Sequence, residues 1–270
     1  VAAIAFESII KLIAFIAVGI FVTYGLFNGF TDIFAQAGAN ESMKKLFLIE
    51  PNTSYISWFG LILLSMLAIV FLPRQFQLGV VENVQESHLK KAIWLFPLYL
   101  LLINIFVIPV AFGGKLLLAN SGVSADMYVL SLPLQHGEKL LGIFTFIGGF
   151  SAATSMIIVE TIALSTMMSN NIATPLLLST NKFRAHSDGK LRNLILNIRR
   201  ICIVLIIAFA FQYDKIVGQY YTLVSIGLIS FAAVAQFAPS VILGIYWKHV
   251  SQKGALTGIC VGFAVWFFTA

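Results

Sequence analysis

Charge is scarce in this 270-residue chain: Asp, Glu, Lys and Arg make up 10% of it, against 59% apolar residues and a mean hydropathy of +0.94. A soluble domain carries about 25% charged residues, so this chain has too little polar surface to cover a water-facing exterior. Cysteine is nearly absent. Cys202 and Cys260 fall in separate apolar stretches, which excludes a disulfide framework and any CxxC motif; both read as small hydrophobes. His88, His136, His186 and His249 lie in loops or at helix edges without ligand spacing, so no structural metal is expected. No nucleophile with an adjacent base, no phosphate loop and no carboxylate pair is visible, so the chain is read as no enzyme and with no organic cofactor. A short charged leader with a small-residue cleavage site is missing as well.

Long apolar runs are what the chain does have. A bilayer core needs about 20 apolar residues per helix, and seven segments meet or approach that length. They fall near residues 6–27, 55–73, 92–113, 139–169, 198–213, 219–247 and 254–270. The fold class that follows is an all-α polytopic membrane protein with about seven transmembrane helices, the lipid bilayer being its first partner. The chain opens on Val1 close to one apolar run and stops at Ala270 inside another. Residues 1–270 are therefore expected to be a fragment of a single transmembrane domain, with helices missing at the N-terminus and a continuation at the C-terminus.

The net charge of +6 is local in origin. Loops 74–91, 170–200 and 248–253 carry Arg74, Lys90, Lys91, Lys182, Arg184, Lys190, Arg192, Arg199, Arg200, Lys248 and Lys253. The alternate loops carry only Lys44, Lys45, Lys115, Lys139 and Lys215. Eleven against five makes the first set cytoplasmic by the positive-inside rule, in a cell (inner) membrane. Topology, and no nucleic-acid partner, explains the basicity. The 74–91 loop alternates apolar and charged residues like an interfacial helix. Residues 28–54 read as a polar outer loop, 115–139 as an outer loop with room for a short helix or lid, and 171–197 as the most polar and flexible stretch. Pro97, Pro109 and Pro239 interrupt spans, either as simple kinks or as discontinuous helices beside a substrate path.

The fourth span carries the densest polar pattern, "GGFSAATSMIIVETIALST" over 148–166. Ser151, Thr154 and Ser155 stand at i, i+3 and i+4, so a helix puts them on one face. That face continues through Ile158, Ile162, Ser165 and Ser169. Hydroxyl oxygens with a locally freed carbonyl are hard ligands suited to Na+, whereas small residues equally let membrane helices pack closely. Spacing alone fits both. Glu160, nine residues past Ser151, falls on the opposite face. A buried carboxyl needs a partner or a proton, and Lys11 of the first span, one turn from Glu7, is the intramembrane cation expected to meet it. Other polar groups in the spans are Tyr24, Ser65, Tyr99, Asn104, Gln212, Ser225, Ser230 and Gln236. Ser65, Asn104 and Gln236 are the candidate substrate contacts.

The stretch "FAPSVILGIYWKHVSQKGALTGICVGFAVW" over 237–266 resembles the ending of the solute:sodium symporter family, with an FAP helix, a YWK-type turn and a GA-x-x-G-x-x-x-G helix start. Gly254, Gly258 and Gly262 make one close-packing stripe there. The resemblance implies a partial leucine-transporter-type inverted-repeat bundle, the fourth span corresponding to core helix eight, with Na+ as the coupling ion. Its sodium ligands would then be the Ser151 carbonyl and the hydroxyls of Thr154 and Ser155. The resemblance also implies that the first core helix, and with it much of the substrate site, lies outside these residues. A second likeness covers more of the chain. "FESIIKLIAFIAVG", "FLPRQFQLGVVENVQESHLKKAIWLFPLYL" and "GGFSAATSMIIVETIALSTMMSNN" resemble the symporter-like membrane regions of bacterial sensor histidine kinases. Together they imply transport of a small organic solute, an amino acid or organic acid, coupled to Na+ by alternating access. The alternative they leave open is a sensor module that reports the solute to a C-terminal kinase.

Overall fold

A computed structural model describes residues 2–47, 55–119, 121–179, 188–218 and 220–269. Among them the chain is helical throughout, with no strand. In chain order the helices are α1 (Ala2–Ile20), α2 (Phe30–Ala39), α3 (Glu41–Lys44), α4 (Tyr55–Phe71), α5 (Pro73–Phe76), α6 (Glu86–Asn104) and α7 (Val107–Leu117). There follow α8 (Tyr128–Gln135), α9 (Lys139–Met168), α10 (Thr174–Ser179), α11 (Asp188–Val217), α12 (Leu223–Ala235), α13 (Ala238–Tyr246) and α14 (Gln252–Thr269). Three π-helical turns extend α1, α5 and α9, at Phe21–Leu26, Gln77–Val81 and Ser169–Ala173.

Five helical stretches among the described residues are long and apolar enough to cross a membrane: Ile4–Leu26, Glu86–Leu117, Lys139–Leu177, Arg192–Val217 and Leu223–Tyr246. The pair Tyr55–Phe71 and Pro73–Val81, bent by 49°, makes a sixth if it is one span. The five fall on five of the seven expected segments, and the bent pair falls on another. The seventh, α14, is absent from the set because its 18 residues open on the polar Gln252 and Lys253. Large apolar side chains lie open along the spans, Trp94, Leu101, Phe146, Phe209 and Val261 among them. Such a surface is stable against hydrocarbon and not against water.

Two corrections concern the loops. Residues 28–54 contain α2 and α3: α2 starts after Gly29 with Asp32 in its first turn, and Asn40 caps α3. Asp32 accepts from the Asn28 N–H at 2.9 Å and from Gln36 at 2.9 Å, and Asn40 accepts from the Ser42 N–H at 3.0 Å. Most of 171–197 is helix too, since α11 begins at Asp188 and runs for 30 residues. Of that stretch, residues 180–187 lie outside the described residues, Lys182, Arg184 and His186 among them. Of residues 74–91, expected as one interfacial helix, 74–81 and 86–91 are helical and belong to separate elements. Prolines act unequally: Pro97 sits inside an unbroken α6, whereas Pro109 and Pro239 each lie just past a break, at Ile105–Phe106 and Gln236–Phe237. Neither supplies the amide that would bond four residues back across its break.

The chain groups into two compact units. Unit 1 comprises Val1–Thr53 with Val84–Ile158, and unit 2 comprises Ser54–Asn83 with Val159–Ala270. Unit 1 has a core of Val18, Val22, Phe27, Ile33, Val110, Leu118 and Leu132, drawn from α1, α2, α7 and α8 and the segments beside them. After the π turn the chain reverses at Gly29 (φ 105°), whose N–H donates to the Thr23 carbonyl at 2.8 Å. Only glycine adopts that φ without strain. Gly148 of α9 lies against Ala14 of α1, so that a side chain there would overlap the Ala14 methyl. In unit 2, α4 packs on α12, and α13 packs on α14. Here Gly262 faces the Gln236 amide oxygen, 2.6 Å from where a Cβ would stand.

Two predictions follow from this packing. Gly148→Ala forces α1 and α9 apart and costs about 1–3 kcal/mol, read as a lowered thermal unfolding midpoint in detergent. Gly149→Ala, which meets nothing within 4 Å, leaves the midpoint unchanged or raises it. Hydrogen bonds from Asn28 and then Gln36 hold the Asp32 carboxyl below its ordinary value of 3.8. A depressed folded value means the carboxylate's contribution is complete above about pH 4 and is lost as pH falls through that lower value. Amide exchange in Phe30–Ala39, corrected for intrinsic rate, rises on acidification in the parent protein, and in Asp32→Asn it is high and pH-independent.

Candidate functional site

The hydroxyl residues of the fourth span sit on α9 where it meets α1. Helix α9 stays regular from Lys139 to Met168, so Ser151, Thr154 and Ser155 do share a face. Ser151 and Ser155 are buried and Thr154 is half-buried. The Ser151 hydroxyl reaches across to the Glu7 carbonyl of α1 at 3.5 Å. Thr154 Oγ1 donates to the Phe150 carbonyl at 3.0 Å and the Ser151 carbonyl at 3.1 Å, and Ser155 Oγ donates to the Ala152 carbonyl at 3.1 Å. Each hydroxyl thus spends its proton on a carbonyl and keeps oxygen lone pairs for a further partner. Glu7 adds a carboxylate oxygen, Oε2, that is buried with no hydrogen-bond partner.

A freed carbonyl is not part of this arrangement. The Ser151 carbonyl lies in unbroken helix and already accepts from Thr154. The expected continuation of the face is corrected as well. Ser165 and Ser169 are buried, but Ile158 and Ile162 are 42% and 40% exposed, while Val159, Thr161 and Ala163 beside them are buried.

The donor set of Thr154 Oγ1, Ser155 Oγ and the Ser151 and Glu7 carbonyls is hard, uncharged oxygen, the chemistry a sodium ion takes. These residues therefore fit Na+ in kind. Beside this turn, unit 1 has an open cleft of about 480 Å3, bounded on α9 by Gly148, Gly149, Ala152 and Ala153. Lys11 and Asp126 are its charged wall residues. The Lys11 ammonium stands 5.8 Å from the centre of the Tyr99 ring, and the Tyr99 hydroxyl donates to the Ser8 carbonyl at 3.2 Å.

The weaker candidates disperse. Asn104 belongs to unit 1, and Ser65 and Gln236 to unit 2. Each turns its polar group back to its own helix: Ser65 to the Leu61 carbonyl (2.8 Å), Asn104 to Leu100 (2.7 Å) and Gln236 to Ala232 (3.1 Å). None of the three lines the unit 1 cleft. Lys11 falls in unit 1 and Glu160 in unit 2, so the surroundings of each are those of its own unit. Among the described residues no group of three His, Cys, Asp or Glu side chains could hold a metal ion.

The π turns are the feature that sequence reasoning missed. Two of them hold a fully buried hydroxyl without a hydrogen-bond partner, Thr23 in Phe21–Leu26 and Ser169 in Ser169–Ala173. Their signal in the sequence is weak, since a π turn is one residue inserted into an otherwise helical pattern. No protein-family model, curated protein or solved structure matches the chain. Thr23→Val keeps the shape and removes the orphaned hydroxyl, so the thermal midpoint rises, by the equivalent of about 1–3 kcal/mol. A fall would mean that the hydroxyl serves a partner in the assembled protein.

Proposed function

We propose that the chain is a membrane transport domain that moves a small organic solute, an amino acid or organic acid, together with Na+ by alternating access. The observation that carries this reading is the buried contact of the α9 hydroxyl face with the α1 backbone at Glu7, beside the unit 1 cleft. Thr154 and Ser155 would bind the ion through their hydroxyls, and Ser151 through its carbonyl once α9 opens there and releases it, with α1 supplying the facing oxygens. Bound Na+ contributes positive charge and a tie between helices. Donors drawn from two helices form a complete set only when those helices are together, so loading and closure are linked. Lys11 and Asp126 in the cleft wall offer complementary charge to the carboxylate and ammonium of an amino acid.

The resemblance to sensor kinases gives this proposal a second form, in which the same site binds solute and a C-terminal kinase module reads its occupancy. Solute binding without uptake is the signature of that form.

Uptake by the full-length protein in proteoliposomes is the test. Inward Na+ stimulates uptake, and Thr154→Ala and Ser155→Ala each raise the Na+ concentration for half-maximal uptake by about tenfold or more. Ser151→Ala, whose ligand would be main chain, has the smaller effect. Solute uptake indifferent to sodium and to all three substitutions would sink the ion assignment. Thermal stabilisation across amino acids and organic acids identifies the solute class.

A further inference from the structure

Unit 2 contains a second cavity, of about 570 Å3, built along one face of α12. Ile226, Ile229, Ser230, Ala233 and Val234 line it, and their spacing of i, i+3, i+4, i+7 and i+8 is a single helical face. Four aromatic residues complete the wall: Tyr213 of α11, Tyr221 before α12, and Trp266 and Phe267 of α14. The Trp266 indole is fixed there, because its N–H donates to the Ile229 carbonyl at 3.1 Å. One ionisable carboxyl enters this lining, that of Glu160. No basic residue lines it.

A carboxylate among aromatic and aliphatic walls calls for a positive partner. A metal ion suits the site poorly. Hard cations collect about six oxygens, whereas Ser230 already donates to the Ile226 carbonyl and the remaining wall is mostly ring and methyl. A substituted ammonium suits it well, since alkyl groups shed water readily and aromatic faces attract the spread positive charge. The absence of a lining base disfavours an occupant that brings its own carboxylate.

From this combination we infer that unit 2 binds a small organic cation, a substituted ammonium, held by Glu160 and by the aromatic side chains Tyr213, Tyr221 and Trp266. The site is separate in chemistry from the hydroxyl set of unit 1, and it stands whether or not that set carries sodium.

Choline chloride is the probe, with the uncharged isostere 3,3-dimethyl-1-butanol as its control. Both are titrated calorimetrically into the full-length protein in lipid nanodiscs, in potassium buffer of constant ionic strength without sodium. Choline binds and the neutral alcohol binds at least about tenfold more weakly. Glu160→Gln weakens choline by a similar factor while leaving the alcohol unchanged. Tyr221 is 48% exposed, so its variants test the aromatic wall without burdening the fold: Tyr221→Phe retains affinity and Tyr221→Leu loses about three- to tenfold. Equal binding of choline and the alcohol shows an apolar cavity only and overturns the inference. So does undiminished binding in both Glu160→Gln and Tyr221→Leu, or no choline binding by a preparation that unfolds cooperatively. Because sodium and flux are absent from the assay, failure here leaves the transport proposal standing, and failed uptake leaves this site standing.

Discussion

The approach of α1 to α9 at Gly148 is the contact on which the candidate ion site depends. Lipid offers apolar side chains as good a neighbour as protein does, so two membrane helices gain little merely by burying Leu against Ile. What draws them together is close backbone contact and the hydrogen bonds such contact permits. Gly148, with no side chain, lets the α9 backbone settle against the Ala14 methyl. One turn on, that same proximity puts the Ser151 hydroxyl within reach of a main-chain carbonyl on α1. A methyl group at 148 would separate the helices and remove the α1 contribution before it touched any ligand. The packing reading of the small-residue face and its ligand reading are therefore not rivals: the first creates the geometry that the second requires.

Much of this was legible in the residue order. The fourth span was expected at 139–169 and the helix runs over Lys139–Met168. The i, i+3, i+4 spacing of Ser151, Thr154 and Ser155 specified a shared face, and the nine-residue step placed Glu160 opposite, because the helix between them is regular. Hidden features had a common cause. Helices α2 and α3 begin beside the polar groups of Asp32 and Asn40 inside a stretch whose composition reads as loop, and α11 starts ten residues before the apolar run that marked it. Hydropathy reports where a helix meets lipid and not where its hydrogen bonds begin. The π turns, which shelter Thr23 and Ser169, depend on how the surrounding helices pack, and no local pattern announces them.

The two polar devices differ in what they leave behind when empty. Hydroxyl and carbonyl oxygens on α9 and α1 are uncharged and already share hydrogen bonds with one another. Removing a cation from them returns a neutral, largely satisfied cluster, at small cost even in an apolar interior. A site that must fill and empty once per cycle gains from that neutrality, since tight binding would stall release. Glu160 behaves otherwise. Vacated, it would leave a carboxylate facing aromatic and aliphatic walls. Such a group favours standing occupancy by a cation that is itself weakly hydrated. The neutral oxygens on α9 and α1 thus suit an ion that passes through, and the carboxylate in the lining of the unit 2 cavity suits a ligand that stays.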